Sequence, residues 1–350
     1  MFRGIYKGNL PPIDPSTIHQ NIPNDDSHYY KEDWDKYFES SRELKVPDTD
    51  NTFKIYESNI QITKDAFLLV FIHGGGYTSL SWSLVTDLLN KLNHKNSGRE
   101  IPFRVLCYDS RAHGLTKTSN DNDFSITTLV DDCCSLVNYY LKTLYQDGDN
   151  GSNDGDSSSP SSSISNLKVV LIGHSMGGAV AVKAACSNKI ENLTGLVVLD
   201  VVEGTAMSAL SSMRSVLAKR PKSFESVSDA IKWSISSNTI HNLQSARVSV
   251  PSQIVYNEKD KRYHWITPLE NSEPFWNDWF TGLSKEFLSN RATKLLILAG
   301  TDRLDKELTI AQMQGRFQLV VLQACGHVIQ EDNPNSTANS LLEYLSRQKL

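Results

Sequence analysis

The sequence predicts an α/β protein, with a mostly parallel central sheet flanked by helices and a helical cap inserted late in the chain. Three observations predict it. Short apolar, β-branched runs alternate with helical spacings from Thr52 onward. One such run, Val169–Ile172, passes through a glycine-bracketed turn into a small-residue helical stretch, Met176–Val182. The interval 204–290, in contrast, carries no comparable strand run.

Taken in order, residues 1–50 are rich in Pro, Asn, Asp and Tyr and lack sustained periodicity. They read as a leader wrapped on the surface or partly disordered, with one short helix over Tyr30–Glu43. Thr52–Glu57 alternates as a half-buried strand does. Phe67–Ile72 is apolar throughout, as expected of a strand covered on both faces. Trp82–Leu92 has helical spacing, Phe103–Tyr108 is another buried strand, and Ile126–Tyr145 is a long amphipathic helix. Asp147–Asn166 holds one apolar residue, Ile164. It cannot bury enough surface to offset its ordering entropy, so a disordered loop insertion is expected. Gly195–Asp200 is the next strand. The cap shows helical segments at Ala206–Leu217, Ser226–Ser236 and Phe275–Leu288. Strands resume at Lys294–Ala299 and Phe317–Gln323, and a helix over Asn335–Leu345 closes the chain. The core therefore divides into 51–203 and 291–350, around a cap at 204–290. Parallel strands end on one rim, which His73, Asp109, Ser175, Asp200, Asp302 and His327 could share.

The composition narrows the function classes. At 350 residues with 39% hydrophobic and 21% charged, the chain can bury a large core. A net charge of -5 and the lack of a basic stripe argue against a nucleic-acid partner. No apolar run reaches the length of a membrane span, and the first residues have no apolar signal block. The five cysteines show no metal-ligand spacing and read as reduced, buried thiols. A cytoplasmic protein is expected, with a nuclear pool also compatible, and no metal or cofactor is implied.

Gly173-His174-Ser175-Met176-Gly177 matches the G-x-S-x-G nucleophile elbow. Its glycines permit a strained turn that lifts Ser175 over the sheet edge at a helix N-terminus. A serine needs a base, usually histidine, held by an acid. His327 follows the last strand, where the base belongs in the chain order serine, acid, histidine. For the acid, Asp200 and Asp302 both end strands on the same rim, and spacing leaves the choice open. His73-Gly74-Gly75-Gly76 resembles an oxyanion loop, so N–H donors are expected from Met176 and from Gly75 or Gly76. His73, Glu203 and the cap tryptophans Trp265, Trp276 and Trp279 are candidates for substrate or cap contacts, although core packing is the commoner role for such aromatics.

The runs LIGHSMGGA, LDVVEGTAMSAL, LAGTDRLDKELTIAQMQGRFQ and CGHVIQEDNP resemble the protein phosphatase methylesterases, as do HGGGYTSLSW, WDKYFES and NLQSARVSV. The resemblance spans Trp34 to near the end of the chain. It implies an α/β-hydrolase fold with a helical cap. The implied reaction is removal of the methyl ester from the C-terminal leucine of the type 2A protein phosphatase catalytic subunit. The family's nucleophile matches Ser175, its base His327 and its acid Asp200, which leaves Asp302 and Asp305 with structural or cap-orienting roles. It also implies that the phosphatase core docks and helps to assemble the site. Two rival expectations stand beside it: a small-molecule serine esterase or lipase, and a phosphatase-binding inhibitor role in addition to catalysis.

Overall fold

Phe67–Ile72 shows how the sequence builds the layers. Leu68, Val70 and Ile72 face one buried cluster, and Phe67, Leu69 and Phe71 face another on the opposite side of the same strand. A strand sandwiched in this way has no polar face, which is why its sequence does not alternate. The computed structural model describes residues 26–59, 61, 66–95, 100–149, 167–300 and 304–348.

The strands are β1 (Ser40–Lys45), β2 (Thr52–Ser58), β3 (Phe67–Ile72), β4 (Phe103–Tyr108), β5 (Lys168–His174), β6 (Leu193–Leu199), β7 (Ile254–Asn257), β8 (Arg262–Trp265), β9 (Thr293–Leu298) and β10 (Gln318–Val321). The helices are α1 (Ser83–Lys95), α2 (Ile126–Asp149), α3 (Met176–Ser187), α4 (Glu203–Ala218), α5 (Val227–Ser236), α6 (Leu243–Ser249), α7 (Trp276–Phe280), α8 (Leu283–Ser289), α9 (Lys306–Met313), α10 (Ile329–Asp332) and α11 (Pro334–Ser346). Eight strands form one sheet in the order β1-β2-β4-β3-β5-β6-β9-β10. From β4 to β10 neighbours run parallel, while β1 and β2 add an antiparallel margin. Side chains of α2 and α3 contribute to one buried cluster, and side chains of α1 and α11 to the other.

Three expectations need correcting. The helix expected over Tyr30–Glu43 is a 3-10 turn at Trp34–Lys36 followed by β1. In β1 only Leu44 is buried, and pairing with β2 (Leu44 opposite Phe53) makes the strand. Its Arg42 donates to Glu57 at 2.8 Å, a tertiary partner that local pattern does not show. The interval expected to lack strands holds the antiparallel hairpin β7–β8, with Ile254 opposite Trp265. The single helix expected over Phe275–Leu288 is two, broken at Gly282, whose φ of +77° an L-residue rarely adopts. Most of the expected insertion Asp147–Asn166 lies outside the described residues.

The segment between β6 and β9 has a small core of its own, centred on Phe224, Ile231, Ile240 and Val250, and Tyr29 of the leader packs into it. The leader is tied there by Glu32 N–H to Arg247 O (3.0 Å) and Arg247 Nε–H to His28 O (2.8 Å). No helix among the described residues is long and apolar enough to cross a membrane.

Candidate active site

The elbow is where β5 becomes α3. Ser175 has φ +52° and ψ −118°, a strained conformation for a residue with a side chain. The turn closes because its flanking residues have no Cβ. One on Gly173 would lie 2.1 Å from Gly177 O, and one on Gly177 2.3 Å from Ile72 O. The strain is held from below by Ser175 N–H donating to Leu199 O at 3.1 Å, which ties the elbow to β6.

Asp200 follows β6, also with positive φ (+50°). Its carboxylate is fully buried and accepts from Ala299 N–H at Oδ1 (3.0 Å). At Oδ2 it accepts from His327 Nδ1–H at 2.8 Å. With Nδ1 carrying the proton, His327 Nε2 keeps a free lone pair. The His327 side chain is half exposed, and it lines the same cavity as Ser175. No hydrogen bond joins Ser175 Oγ to His327 among the described residues. Asp302, the rival acid, lies outside the described residues. Asp305 caps α9 through Leu308 N–H (2.9 Å) and accepts from Ser284 Oγ at 2.5 Å.

Three buried histidines support this rim. Ser110 N–H donates to His73 Nε2 (2.9 Å), and His73 Nδ1–H donates to Gly74 O (2.8 Å). Gly76 N–H donates to His113 Nε2 (2.9 Å), and His113 Nδ1–H donates to Arg111 O (2.7 Å). Both rings are thereby locked as neutral tautomers. Burial pushes His73 down to about 4 and His113 to about 3, the latter also lowered by neighbouring His73. The third, His174, is the variable residue of the elbow itself. Its Nε2–H donates to the His327 backbone carbonyl at 2.7 Å, so the nucleophile's neighbour holds the base's main chain. Burial, then the adjacent His327, lowers its pKa to about 3.

These contacts correct two expected roles and narrow a third. Gly76 N–H is committed to His113 and is not an oxyanion donor. Gly75 and Met176 remain, and they face each other: a Cβ on Gly75 would lie 3.9 Å from the Met176 Cβ. His73 is a fully buried brace of the loop, out of reach of a substrate. Glu203 accepts from Gly282 N–H (2.9 Å) and Ser284 N–H (3.1 Å), so of its two expected roles it takes the contact with the 204–290 segment and does not line the cavity.

The cavity above Ser175 is about 390 Å³, the size of a small-ligand pocket. Trp265, Trp276 and Trp279 all line it. Their indole N–H groups donate to Pro221 O, Ser272 Oγ and Phe124 O, each at 2.8 Å. They offer substrate apolar faces only. Met213, Val216 and Leu217 of α4 complete the wall with Leu269. Sequence reasoning missed these, together with the role of His113 as an acceptor, the His174–His327 link and Arg220. The position of His174 inside the elbow was the one available signal. Among the described residues no cluster of His, Cys, Asp and Glu could hold a metal ion.

Comparison with known proteins agrees with this geometry. The model of an alpha/beta hydrolase family matches residues 69–339. The chain is 56% identical over 340 residues to a probable protein phosphatase methylesterase 1 of Dictyostelium discoideum, covering 95% of this chain and 98% of that one. It is 39% identical over 321 residues to protein phosphatase methylesterase 1 of Schizosaccharomyces pombe (91% and 85% covered). Against the Homo sapiens protein of the same name the identity is 36% over 359 residues (90% and 84% covered). Among solved structures, E-2-(acetamidomethylene)succinate hydrolase superposes with a TM-score of 0.64 at 17% identity, over 88% of this chain and 99% of that one. At that identity the likeness shows the shared α/β-hydrolase fold.

Proposed function

Because this chain belongs to the protein phosphatase methylesterase family of α/β-hydrolases, we propose that it removes the methyl ester from the C-terminal leucine of the type 2A protein phosphatase catalytic subunit. The observation that carries the reading is His327, held by Asp200 at 2.8 Å, in one cavity with a serine on a strained elbow.

In the proposed mechanism His327 Nε2 takes the proton of Ser175 Oγ as the oxygen attacks the leucine ester carbonyl. The oxyanion is met by the N–H groups of Gly75 and Met176. The carbon–methoxy bond breaks, and the departing oxygen takes the proton from His327 and leaves as methanol. The acyl group is then an ester of Ser175. Water, deprotonated by His327, attacks it, releasing a free carboxylate and restoring the serine. Asp200 holds the imidazole tautomer and stabilises its cation.

Proton transfer needs Ser175 Oγ and His327 Nε2 at roughly 3 Å. Docking of the phosphatase core is proposed to bring the two atoms to that distance. The reading places the inserted segment 204–290 as a cap over the acyl group and the enzyme in the cytoplasm and nucleus, where that partner is met. Methanol release from methylated phosphatase tests the proposal, with Ser175→Ala as control. Release that depends on Ser175 supports it; equal release by Ser175→Ala overturns it. Turnover of simple esters with none of the methylated phosphatase would favour the small-molecule esterase.

A further inference from the structure

Arg220 lies just beyond α4, and its side chain lines the cavity that holds Ser175 and His327. The guanidinium carbon sits 3.8 Å from the ring centroid of Trp265, close enough for a cation to rest on the aromatic face. That shelf is built. Trp265 Nε1–H donates to the carbonyl of Pro221, the residue after Arg220. Phe224 and Trp233 meet Trp265 edge-on at 5.3 and 5.7 Å. Arg220 N–H donates to Leu217 O at 3.0 Å, which fixes the backbone from the other side.

Contact with Trp265 occupies a face of the guanidinium, whereas its five N–H donors point outward in its plane. Among the described residues none of these donors has an acceptor, and no carboxylate lies within 4.0 Å. Glu270, exposed, reaches Arg220 only through its longer-range field. The cavity lining includes two cations, Lys219 and Arg220, and no Asp or Glu. Burial lowers the Arg220 pKa, as expected of a cation taken from water without an adjacent anion. It remains charged at neutral pH.

A partly desolvated guanidinium with uncommitted donors in one plane is matched by a carboxylate, which accepts two of them at once. The scissile ester cannot supply it, being neutral and with its carbonyl facing Gly75 and Met176. The alcohol side is a single methyl group. The anion must therefore come from further along the acyl chain. We propose that Arg220 is a specificity residue that receives a side-chain carboxylate of the peptide preceding the leucine ester, so that the enzyme selects acidic C-terminal peptides. This rests on the methylesterase reading of the same cavity.

The test uses N-acetyl tetrapeptide leucine methyl esters with Asp or its neutral isostere Asn at each of the three positions before leucine. Wild type, Arg220→Met and Arg220→Lys are compared by methanol release. Wild type should favour the Asp peptide at one position about tenfold in kcat/KM, carried by KM. Arg220→Met should reduce that preference to within twofold while turning over the Asn peptide within threefold of wild type, which also shows that it folds. Arg220→Lys should fall between, keeping the charge but not the planar pair of donors. Equal wild-type rates on Asp and Asn peptides at every position, or a preference that survives Arg220→Met, would overturn the proposal while leaving the methylesterase reading intact. If none of the peptides turns over, protection of Ser175 from a fluorophosphonate probe gives the same comparison. Equal protection by Asp and Asn peptides then overturns the role of Arg220. Loss of turnover on methylated phosphatase itself would instead count against the methylesterase reading.

Discussion

The rim of the sheet and the wall above it are built on opposite principles. At the rim, Asp200 and the three histidines His73, His113 and His174 are buried and each is tied to a neighbouring strand or loop. One side of the wall is α4, a helix of 16 residues of which none is buried, and it lines the cavity with Met213, Val216 and Leu217. Val216 is 60% exposed. A preorganised rim suits a reaction whose transition state needs donors fixed before charge develops. A helix with none of its residues buried suits recognition of a partner that supplies the missing contacts. Chemistry and specificity are therefore expected to separate under mutation.

The largest separation is expected at the acid. Asp200→Asn leaves the packing in place but no longer holds His327 with Nδ1 protonated, and kcat should fall about 10⁴-fold with KM little changed. Steady-state kinetics on any accepted ester checks this. Comparable loss in Asp302→Asn would move the acid elsewhere and break the distinction between the two aspartates.

Next comes the elbow. Gly173→Ala places a Cβ against a backbone oxygen that cannot move without unwinding the start of α3. It should destabilise the fold by at least ~3 kcal/mol, seen as a fall in the urea midpoint. An unchanged midpoint would show that the turn has slack.

The neutral histidines make the rim sensitive to acid. In the unfolded chain each titrates near 6.5, but His73, His113 and His174 stay unprotonated to about 4, 3 and 3 when folded. As pH drops below 6.5 the unfolded state binds protons that the folded state refuses, so stability falls. The slope approaches ~1.4 kcal/mol per pH unit for each ring. Urea midpoints between pH 7.5 and 5 should show this loss, and His113→Asn should flatten it by one ring's share. A slope unchanged in that variant would place the charge on His113 in the folded state.

The smallest effect belongs to the wall. Val216→Ser should leave kcat on a simple methyl ester within about twofold and shift only KM for the phosphatase, since one exposed apolar group is worth about 1 kcal/mol or less. A large loss of kcat on the simple ester would tie α4 to the chemistry and erase the contrast.

How much of this could be read in the sequence follows the same division. Strands β3 and β4 were legible to the residue, because burial on both faces leaves an unbroken apolar run. The elbow was legible because its glycines flank the serine at fixed spacing between an apolar run and a small-residue helix, although the contact that excludes a Cβ at Gly177 is with the distant Ile72. Gly76 misled because its N–H partner, His113, is distant in sequence and carries no local sign of being a buried acceptor. Glu203 was legible as a contact for the 204–290 segment but not its partners, since the α8 N–H groups it caps lie far along the chain at Gly282 and Ser284. Strand β1 and the β7–β8 hairpin were missed because pairing partners, more than side-chain pattern, create them. Arg220 was invisible because an arginine after a helix is ordinarily solvated, and only the fold puts Trp265 beneath it.

The central claim is that the rim works through an acyl-enzyme on Ser175. Rapid acid quench of the enzyme with a leucine methyl ester substrate, followed by mass spectrometry of the peptide bearing Ser175, tests it most directly. This peptide should gain the mass of the ester substrate less methanol before steady state, and Ser175→Ala should show neither adduct nor methanol. Methanol released in full with Ser175 unmodified at every quench time would contradict it.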